Sequence, residues 1–226
     1  TPGRAQTVAA GLLAGALGFL LALAVLLLPD PAPSLAAEAR ARSAEVGLGN
    51  AVAAVLMAYR GLDTLLESVV LVFAVLAVWS MAPDARWGGR PGPRFPPQQD
   101  GPFALFARVL PPIGIVVGIY VAWVGADAPG GKFQGGTVLA GMWLLAWIAG
   151  LVQAPSVADR GVRLMLVAGP AAFLLAGFLG WVLADAFLAW PPGLGKPLIL
   201  LVEAAMTLSV AAALALLVAG PPERAP

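Results

Sequence analysis

Six apolar runs, each long enough or nearly long enough to cross a bilayer, most constrain what this chain can fold into. A spanning helix needs about 20 mostly apolar residues. Of the 226 residues, 60% are hydrophobic and only 11% are charged, whereas soluble domains have about a quarter charged residues. We therefore predict an all-α integral membrane protein with about six transmembrane helices, at roughly 7–28, 51–81, 103–125, 137–153, 162–184 and 198–219.

The first run, from Thr7 to Leu28, follows Arg4 and so raises the alternative of a signal peptide. The hydrophobic region of a signal peptide typically has about 7 to 15 residues, which is shorter than this run. We therefore expect an uncleaved helix.

The second run has a polar interruption and is too long for one straight crossing at about 1.5 Å per residue. We expect Asn50 to Tyr59 to lie along the membrane surface or to dip into it. The true span then begins near the charged residues that follow.

Those charged residues are Arg60, Asp63 and Glu67, whose spacings of three and four place them on one helix face. An ionisable residue within a span costs about 2.5 to 3.5 kcal/mol and needs a partner, water or a function. We expect Arg60 to neutralise part of the acidic pair and Asp63 or Thr64 to cap the helix. Two interpretations stay open: a helix start whose charges satisfy one another, or a water-filled ion entry in which Glu67 carries protons or Na⁺.

Glu203 is the second ionisable residue that costs free energy within a span, because its neighbours in the last apolar run are apolar. It should face protein or water rather than lipid. Lys196, seven residues earlier, lies on about the same helix face and could reach toward it. We predict that Glu203 belongs to a proton or cation path, or pairs with a basic residue of a neighbouring subunit.

A glycine-rich turn between the third and fourth runs begins at Pro129 and predicts a tight transmembrane hairpin, since glycine allows backbone conformations that side chains forbid. The alternative is that the glycines only shorten a loop. The predicted role is a structural turn that docks a neighbouring subunit, formed by Gly130, Gly131, Lys132, Phe133, Gln134, Gly135 and Gly136.

The loop from 82 to 102 is rich in Pro, Gly and Arg and should be irregular. It predicts a division into a two-helix unit at 1–81, a linker at 82–102, and a unit of four helices in hairpins at 103–226. If six helices alternate, eight Lys and Arg residues lie on the cytoplasmic side and five outside. The positive-inside rule then places both termini and the linker in the cytoplasm.

Several functions are excluded or unsupported. The chain has no His and no Cys, and its net charge is +1, so no His or Cys metal site is possible and no nucleic-acid partner is expected. There is no nucleophile elbow, phosphate loop or dinucleotide motif. We therefore predict a protein that is not an enzyme, has no cofactor or metal, and is one subunit of a larger membrane assembly in the lipid bilayer.

The block from Pro111 to Gly136 resembles the B subunit of Mrp-type multisubunit cation/proton antiporters. The pattern in that family is a proline-led helix, a Gly and a Tyr, and then Pro-Gly-Gly-Gly-Phe-Gln-Gly-Gly. Gly118, Tyr120 and the glycine turn match it, whereas Lys132 stands in place of a glycine. The 50–67 segment is similar to the small E-like element of the same systems, and this resemblance makes 1–81 an E-like unit.

The resemblance implies a non-catalytic subunit of a Na⁺/H⁺ antiporter module in the bacterial plasma membrane, which supports assembly and forms part of an ion path. Na⁺ and H⁺ would be the transported ions, with Asp63, Glu67 and Glu203 as path residues and Arg60 as a charge partner. An alternative is the equivalent subunit of a complex I-related redox or carbon-uptake complex, such as a membrane-bound hydrogenase. A purely structural scaffold is the third possibility.

Overall fold

Helices make up nearly all the regular structure of the protein. The structure is a computed structural model, and it describes residues 4–28, 34, 36–97 and 100–224. Within these residues, five helices are long and apolar enough to cross a membrane. The prediction of an all-α membrane protein is confirmed. The helices are α1 (Arg4–Leu26), α2 (Ala36–Arg42), α3 (Ala51–Ala54), α4 (Gly61–Trp79), α5 (Pro102–Val124), α6 (Lys132–Ile148), α7 (Arg160–Ala184) and α8 (Gly195–Ala219).

The chain forms two compact units, Thr1–Glu38 and Ala39–Pro226. The first contains α1, which has 23 residues and none buried. The second contains α3 to α8. The predicted two-helix E-like unit at 1–81, the linker at 82–102 and the four-helix unit at 103–226 stay predictions.

The second predicted run is broken, as its length required. Asn50 caps the short α3, Val55–Tyr59 form a single π-helical turn, and the backbone breaks at Arg60 (φ −124°, ψ 31°) before α4 begins. The predicted separation of Asn50–Tyr59 from the spanning helix is confirmed. Ala54 and Met57 are fully buried, so this segment dips into the bundle.

The predicted cap of α4 is wrong. Arg60 is the N-cap residue and makes no side-chain cap bond. The Thr64 hydroxyl instead donates to the Leu56 carbonyl at 2.7 Å, and the Trp190 indole donates to the Met57 carbonyl at 3.0 Å. These two side chains satisfy carbonyl oxygens next to the break, where the regular helical bonds end.

Helix α6 has 17 residues, at the short end of what can span a bilayer. It lies between α5 and α8 and runs antiparallel to α5, because Gly135 meets Gly118 while Met142 meets Gly114. It runs parallel to α8, because its start packs at Thr207 and its end packs at Ala219.

Helices α4 and α7 pack on the other side of α8, α4 parallel to it and α7 antiparallel. One core cluster joins Met57 and Phe173 to the first half of α8, and a second joins Val75 and Trp79 to its second half. Half-way along, Gly169 on α7 leaves no room for a Cβ against the Met206 backbone. Helix α8 is therefore the central helix of the second unit.

The predicted linker is irregular except for a short 3₁₀ turn at Asp84–Arg86 and a two-residue strand, β1 (Arg90–Pro91). Strand β1 pairs antiparallel with β2 (Pro222–Arg224) near the end of the chain. A Cβ at Gly89 would collide with the Arg224 carbonyl. Positions 98 and 99 of the linker lie outside the described residues.

Candidate ion-path site

The loop between α5 and α6 is held by the segment before α3. The Asn50 amide donates to the carbonyls of Gly125 at 2.8 Å and Ala128 at 3.0 Å, while its oxygen accepts from Val52 N–H. The Asn50 backbone N–H also donates to the Ala126 carbonyl at 3.0 Å. One polar side chain thus joins two segments that are far apart in sequence.

Asp127, in the same loop, binds Lys196 at the start of α8. The Lys196 ammonium donates to both carboxylate oxygens, at 2.7 and 2.8 Å, and Gly49 N–H donates to one of them at 3.2 Å. Lys196 and, secondarily, Gly49 hold the pKa of Asp127 below its ordinary value. The prediction that Lys196 reaches Glu203 is wrong, because its ammonium is engaged by Asp127.

The glycine turn is shorter than predicted. Gly130 (φ 157°) and Gly131 (φ 131°) take backbone angles that L side chains rarely adopt, and a Cβ at Gly130 would lie 2.4 Å from the Val121 carbonyl. Helix α6 already begins at Lys132. Gly135 and Gly136 are therefore helical residues that allow close packing, and the predicted start of this span at residue 137 is too late.

Lys132 is buried at the first position of α6, with 4% of its surface exposed. Its ammonium donates to the Met57 sulfur at 3.8 Å and lies 5.6 Å from the centroid of the Phe133 ring. It also interacts electrostatically with Glu203 and Glu67. The charge of Lys132 thus points into the bundle, not toward the surface.

Glu203 lies on α8 with 5% of its surface exposed. Its Oε2 atom has no hydrogen-bond partner within the described part of the chain. Thr207, one turn later, bonds to the Glu203 backbone carbonyl at 2.7 Å and leaves the carboxylate free. The prediction that Glu203 faces protein rather than lipid is confirmed by this burial.

Glu203 also lines a cavity of about 260 Å³ between α5, α6 and α8. The other lining residues are almost all apolar, with Trp123 and Leu139 on one side and Thr207 on the other. A carboxylate in such surroundings is poorly solvated, so it is a candidate for reversible protonation.

The other candidate acids are more accessible. Asp63 forms an ion pair with Arg60 at 2.6 Å, and these side chains are 55% and 65% exposed. The predicted Arg60–Asp63 interaction is confirmed. Glu67, on the next turn of α4, is exposed and interacts electrostatically with Lys132. The structure therefore groups Glu67, Lys132 and Glu203, and separates Asp63 with its own partner.

Two residues of the predicted docking turn remain near the surface. Gln134 is exposed and Phe133 is half-buried. Across the described ranges, no group of three or more His, Cys, Asp and Glu could hold a metal ion.

The residue that sequence reasoning placed wrongly is Lys132. The sequence predicts Lys132 in the turn, whereas the structure places it buried at the first position of α6. The signal that could have revealed its burial is the spacing from Lys132 to Gly135 and Gly136, one helical turn of small residues that must face a neighbour.

Residues 102–221 match the family model described as a domain related to the MnhB subunit of Na⁺/H⁺ antiporter. This region covers more than half of the chain and includes α5, the glycine turn, Lys132 and Glu203. The chain belongs to this MnhB-related family. No curated protein sequence matches this chain.

Two solved structures share the fold. A chain of the membrane-bound sulfane sulfur reductase, an archaeal respiratory membrane complex, matches with a TM-score of 0.67 and 23% identity over 95% of this chain and 97% of that one. A chain of the Mrp complex from Dietzia sp. DQ12-45-1b matches with a TM-score of 0.64 and 23% identity, over 100% of this chain but 27% of that one. Both belong to multisubunit membrane complexes.

The family and the fold together support a multi-pass membrane subunit of the Mrp antiporter type. The matching family is described as related to a subunit of a Na⁺/H⁺ antiporter, which is a transport complex.

Proposed function

We propose that this chain is a non-catalytic subunit of an Mrp-type Na⁺/H⁺ antiporter module, where it supports assembly and contributes part of an ion path. Glu203, with Glu67 and Asp63, is the proposed set of path carboxylates, and Arg60 is the charge partner of Asp63. The glycine turn at Gly130 and Gly131 would set the α5–α6 hairpin against which neighbouring subunits dock, with Phe133 and Gln134 at its edge.

The observation that carries the proposal is Glu203. It is an acidic side chain buried on an apolar helix, with one oxygen unbonded, inside the region that matches the antiporter-related family. Charged groups inside membrane segments are rare and are usually retained for ion movement or for pairing.

Affinity purification of the full-length chain from its native membrane, followed by mass spectrometry of the copurifying chains, tests the assembly role. We expect antiporter-like membrane subunits. Recovery of the chain alone, from membranes in which it is abundant, would contradict a role as a subunit.

Cation/proton exchange in vesicles that contain the assembled complex tests the path role. We expect Glu203→Gln to reduce exchange while the complex assembles normally. The matched control is Asp127→Asn, which removes an exposed carboxylate at the end of the bundle and should leave exchange intact. Unchanged exchange in Glu203→Gln and in the corresponding Asp63 and Glu67 variants would leave only a scaffold.

A second candidate is the equivalent subunit of a complex I-related redox complex. It is favoured by the coverage of both chains, since this chain matches nearly the whole length of the sulfane sulfur reductase chain but about a quarter of the Mrp chain. Iron–sulfur subunits among the copurifying proteins would support this candidate over the simple antiporter.

The proposed orientation places both termini in the cytoplasm of a bacterial cell and the glycine turn outside. The chain has no cysteine, so single cysteines give a clean test. We expect an impermeant maleimide to label Ala186→Cys, in the α7–α8 loop, in intact cells. The linker variant Ala85→Cys should be labelled only after lysis, and the reverse pattern would invert the topology.

A further inference from the structure

We propose that Lys132 is the built-in counter-cation of Glu203: its ammonium takes the place that Na⁺ would take beside this carboxylate, so the site between α6 and α8 exchanges protons and excludes Na⁺. The inference rests on the proposed function, because it concerns the ion selectivity of the proposed path.

The two side chains belong to the same level of the bundle. A Cβ at Gly136 would lie 3.2 Å from the Thr207 carbonyl, so these residues mark the contact between α6 and α8. Lys132 is one turn before Gly136, and Glu203 is one turn before Thr207. Because the two helices run parallel, both charges lie one turn before this contact.

Neither charge is placed in an ion pair by the described part of the structure. Arg60–Asp63 and Lys196–Asp127 are ion pairs of the described residues, and neither includes Lys132 or Glu203. The Lys132 ammonium has three donors, and the Met57 sulfur that accepts one of them is a weak acceptor. Glu203 Oε2 accepts nothing. The lysine stem is flexible, so the ammonium can turn toward the carboxylate.

A fixed cation changes which ion this site can accept. A Na⁺ ion at Glu203 would have to lie next to the ammonium, and like charges repel strongly where water is excluded. A proton on the carboxylate removes the negative charge without adding a neighbouring metal cation. The pair can therefore alternate between a neutral ion pair and a lone ammonium as Glu203 gains a proton.

Glu67 is the other acid that interacts with Lys132, from α4, and it faces the same ammonium. Lys132 is the charged group that interacts with Glu203 among the residues described. Glu67 lies on the outer face of the chain, whereas Glu203 is buried against α5 and α6, so a fixed counter-charge is needed most at Glu203. Lys132 is therefore assigned to Glu203, and a role for Glu67 as the principal partner is an outcome that the test must separate.

Labelling with dicyclohexylcarbodiimide, an apolar reagent that modifies protonated carboxyl groups, tests the inference in membranes that contain the full chain. The cavity beside Glu203 admits an apolar reagent, and peptide mass spectrometry locates the adduct. In the natural chain we expect the labelling of Glu203 at neutral pH to be equal in sodium chloride and in choline chloride of the same ionic strength.

Lys132→Met should raise Glu203 labelling about tenfold, because a nearby opposite charge typically favours the charged form of a carboxyl by that factor or more. Sodium chloride should then suppress the labelling, because the cation position is empty. Lys132→Gly, which restores the glycine of the resembling pattern, should behave like Lys132→Met, and Lys132→Arg should behave like the natural chain. Lys196→Met, which removes a lysine bound to Asp127, is the matched control and should leave the labelling of Glu203 unchanged.

Sodium suppression of labelling in the natural chain, or unchanged labelling in Lys132→Met, would overturn the inference. If sodium chloride suppresses the labelling of Glu203 in Glu67→Gln, with Lys132 intact, the inference would also be overturned. The position of the ammonium beside Glu203 would then depend on Glu67.

A double-mutant cycle covers the case in which Lys132→Met assembles poorly. If the lysine balances Glu203, adding Glu203→Gln to Lys132→Met should restore part of the thermal stability of the solubilised complex. Strictly additive losses would count against the pair. The labelling does not depend on transport: missing partner subunits would remove the proposed function, whereas sodium-suppressed labelling would remove only the Lys132 assignment.

Discussion

Arg60 with Asp63 and Lys132 with Glu203 are two sets of opposite charges in the same bundle, but they solve different problems. The first pair is in direct contact at 2.6 Å, is more than half exposed and comes from one helix start. The second is buried, comes from two helices and makes no ion pair within 4.0 Å in the structure. The exposed pair is satisfied by residues of one helix start, whereas the buried charges lie on two helices and are left without an ion pair among the described residues.

The largest expected effect comes from reversing the buried acid. Glu203→Lys places a second cation in a site that already holds Lys132, and breaking a buried charge arrangement costs about 3–5 kcal/mol. We expect loss of the folded chain from the membrane, measured by its level and by thermal unfolding in detergent. The matched reversal Asp63→Lys faces Arg60 in an exposed position and should cost about 0–1 kcal/mol. Equal losses would erase the contrast between the two pairs.

A medium effect is expected from separating α5 from α6, the helix that carries Lys132. In Gly135→Ala the new Cβ would lie 2.6 Å from the Gly118 carbonyl, and such overpacking typically costs about 1–3 kcal/mol. Gly141→Ala, on the same helix, has no atom within 4 Å of its new Cβ, so stability should hold or rise slightly. Thermal unfolding of both variants makes the comparison. A tolerated alanine at position 135 would show that the α5–α6 contact yields easily.

Asn50 should have a smaller effect, because its loss affects the loop that leads to Lys132 rather than the charges. Asn50→Ala removes a helix cap and the two hydrogen bonds that the side-chain amide donates. Each hydrogen bond contributes a net stabilisation of about 0.5–1.5 kcal/mol. Asn50→Ser keeps a capping oxygen but loses the bonds to Gly125 and Ala128. The loss of stability that both variants share measures the two hydrogen bonds of the side-chain amide. If serine restores full stability, those two bonds contribute nothing.

The smallest expected effect is the pH dependence of the exposed Asp127–Lys196 pair. Because the pKa of Asp127 is lowered in the folded chain, the stabilisation is complete above the ordinary aspartate pKa and disappears as pH falls through the lowered value. Asp127→Asn should therefore be less stable than the natural chain at neutral pH and equal to it in acid. Unfolding curves at several pH values check this, and Lys196→Met should reproduce the same convergence. A difference that persists in acid would assign the effect to packing.

Sequence reasoning predicted the parts of this protein that depend on local order. The apolar runs, the break before α4 and the contact between Arg60 and Asp63 follow from hydrophobicity, length and a spacing of three residues. It failed for Lys196 because the acid that binds it, Asp127, comes from a loop distant in the chain. It also failed for Lys132, since only the packing of α6 against α8 decides which way the first side chain of that helix points.

The ladder between β1 and β2 joins two segments that are synthesised at different times. The linker leaves the ribosome after α4, but its pairing partner is made only after α8. Gly92 N–H donates a hydrogen bond to the Pro221 carbonyl, and the Arg224 guanidinium donates one to the Pro91 carbonyl. This end of the bundle can close only after α8 has been made, so the β1–β2 ladder forms late, when the helices that precede β2 are already in place.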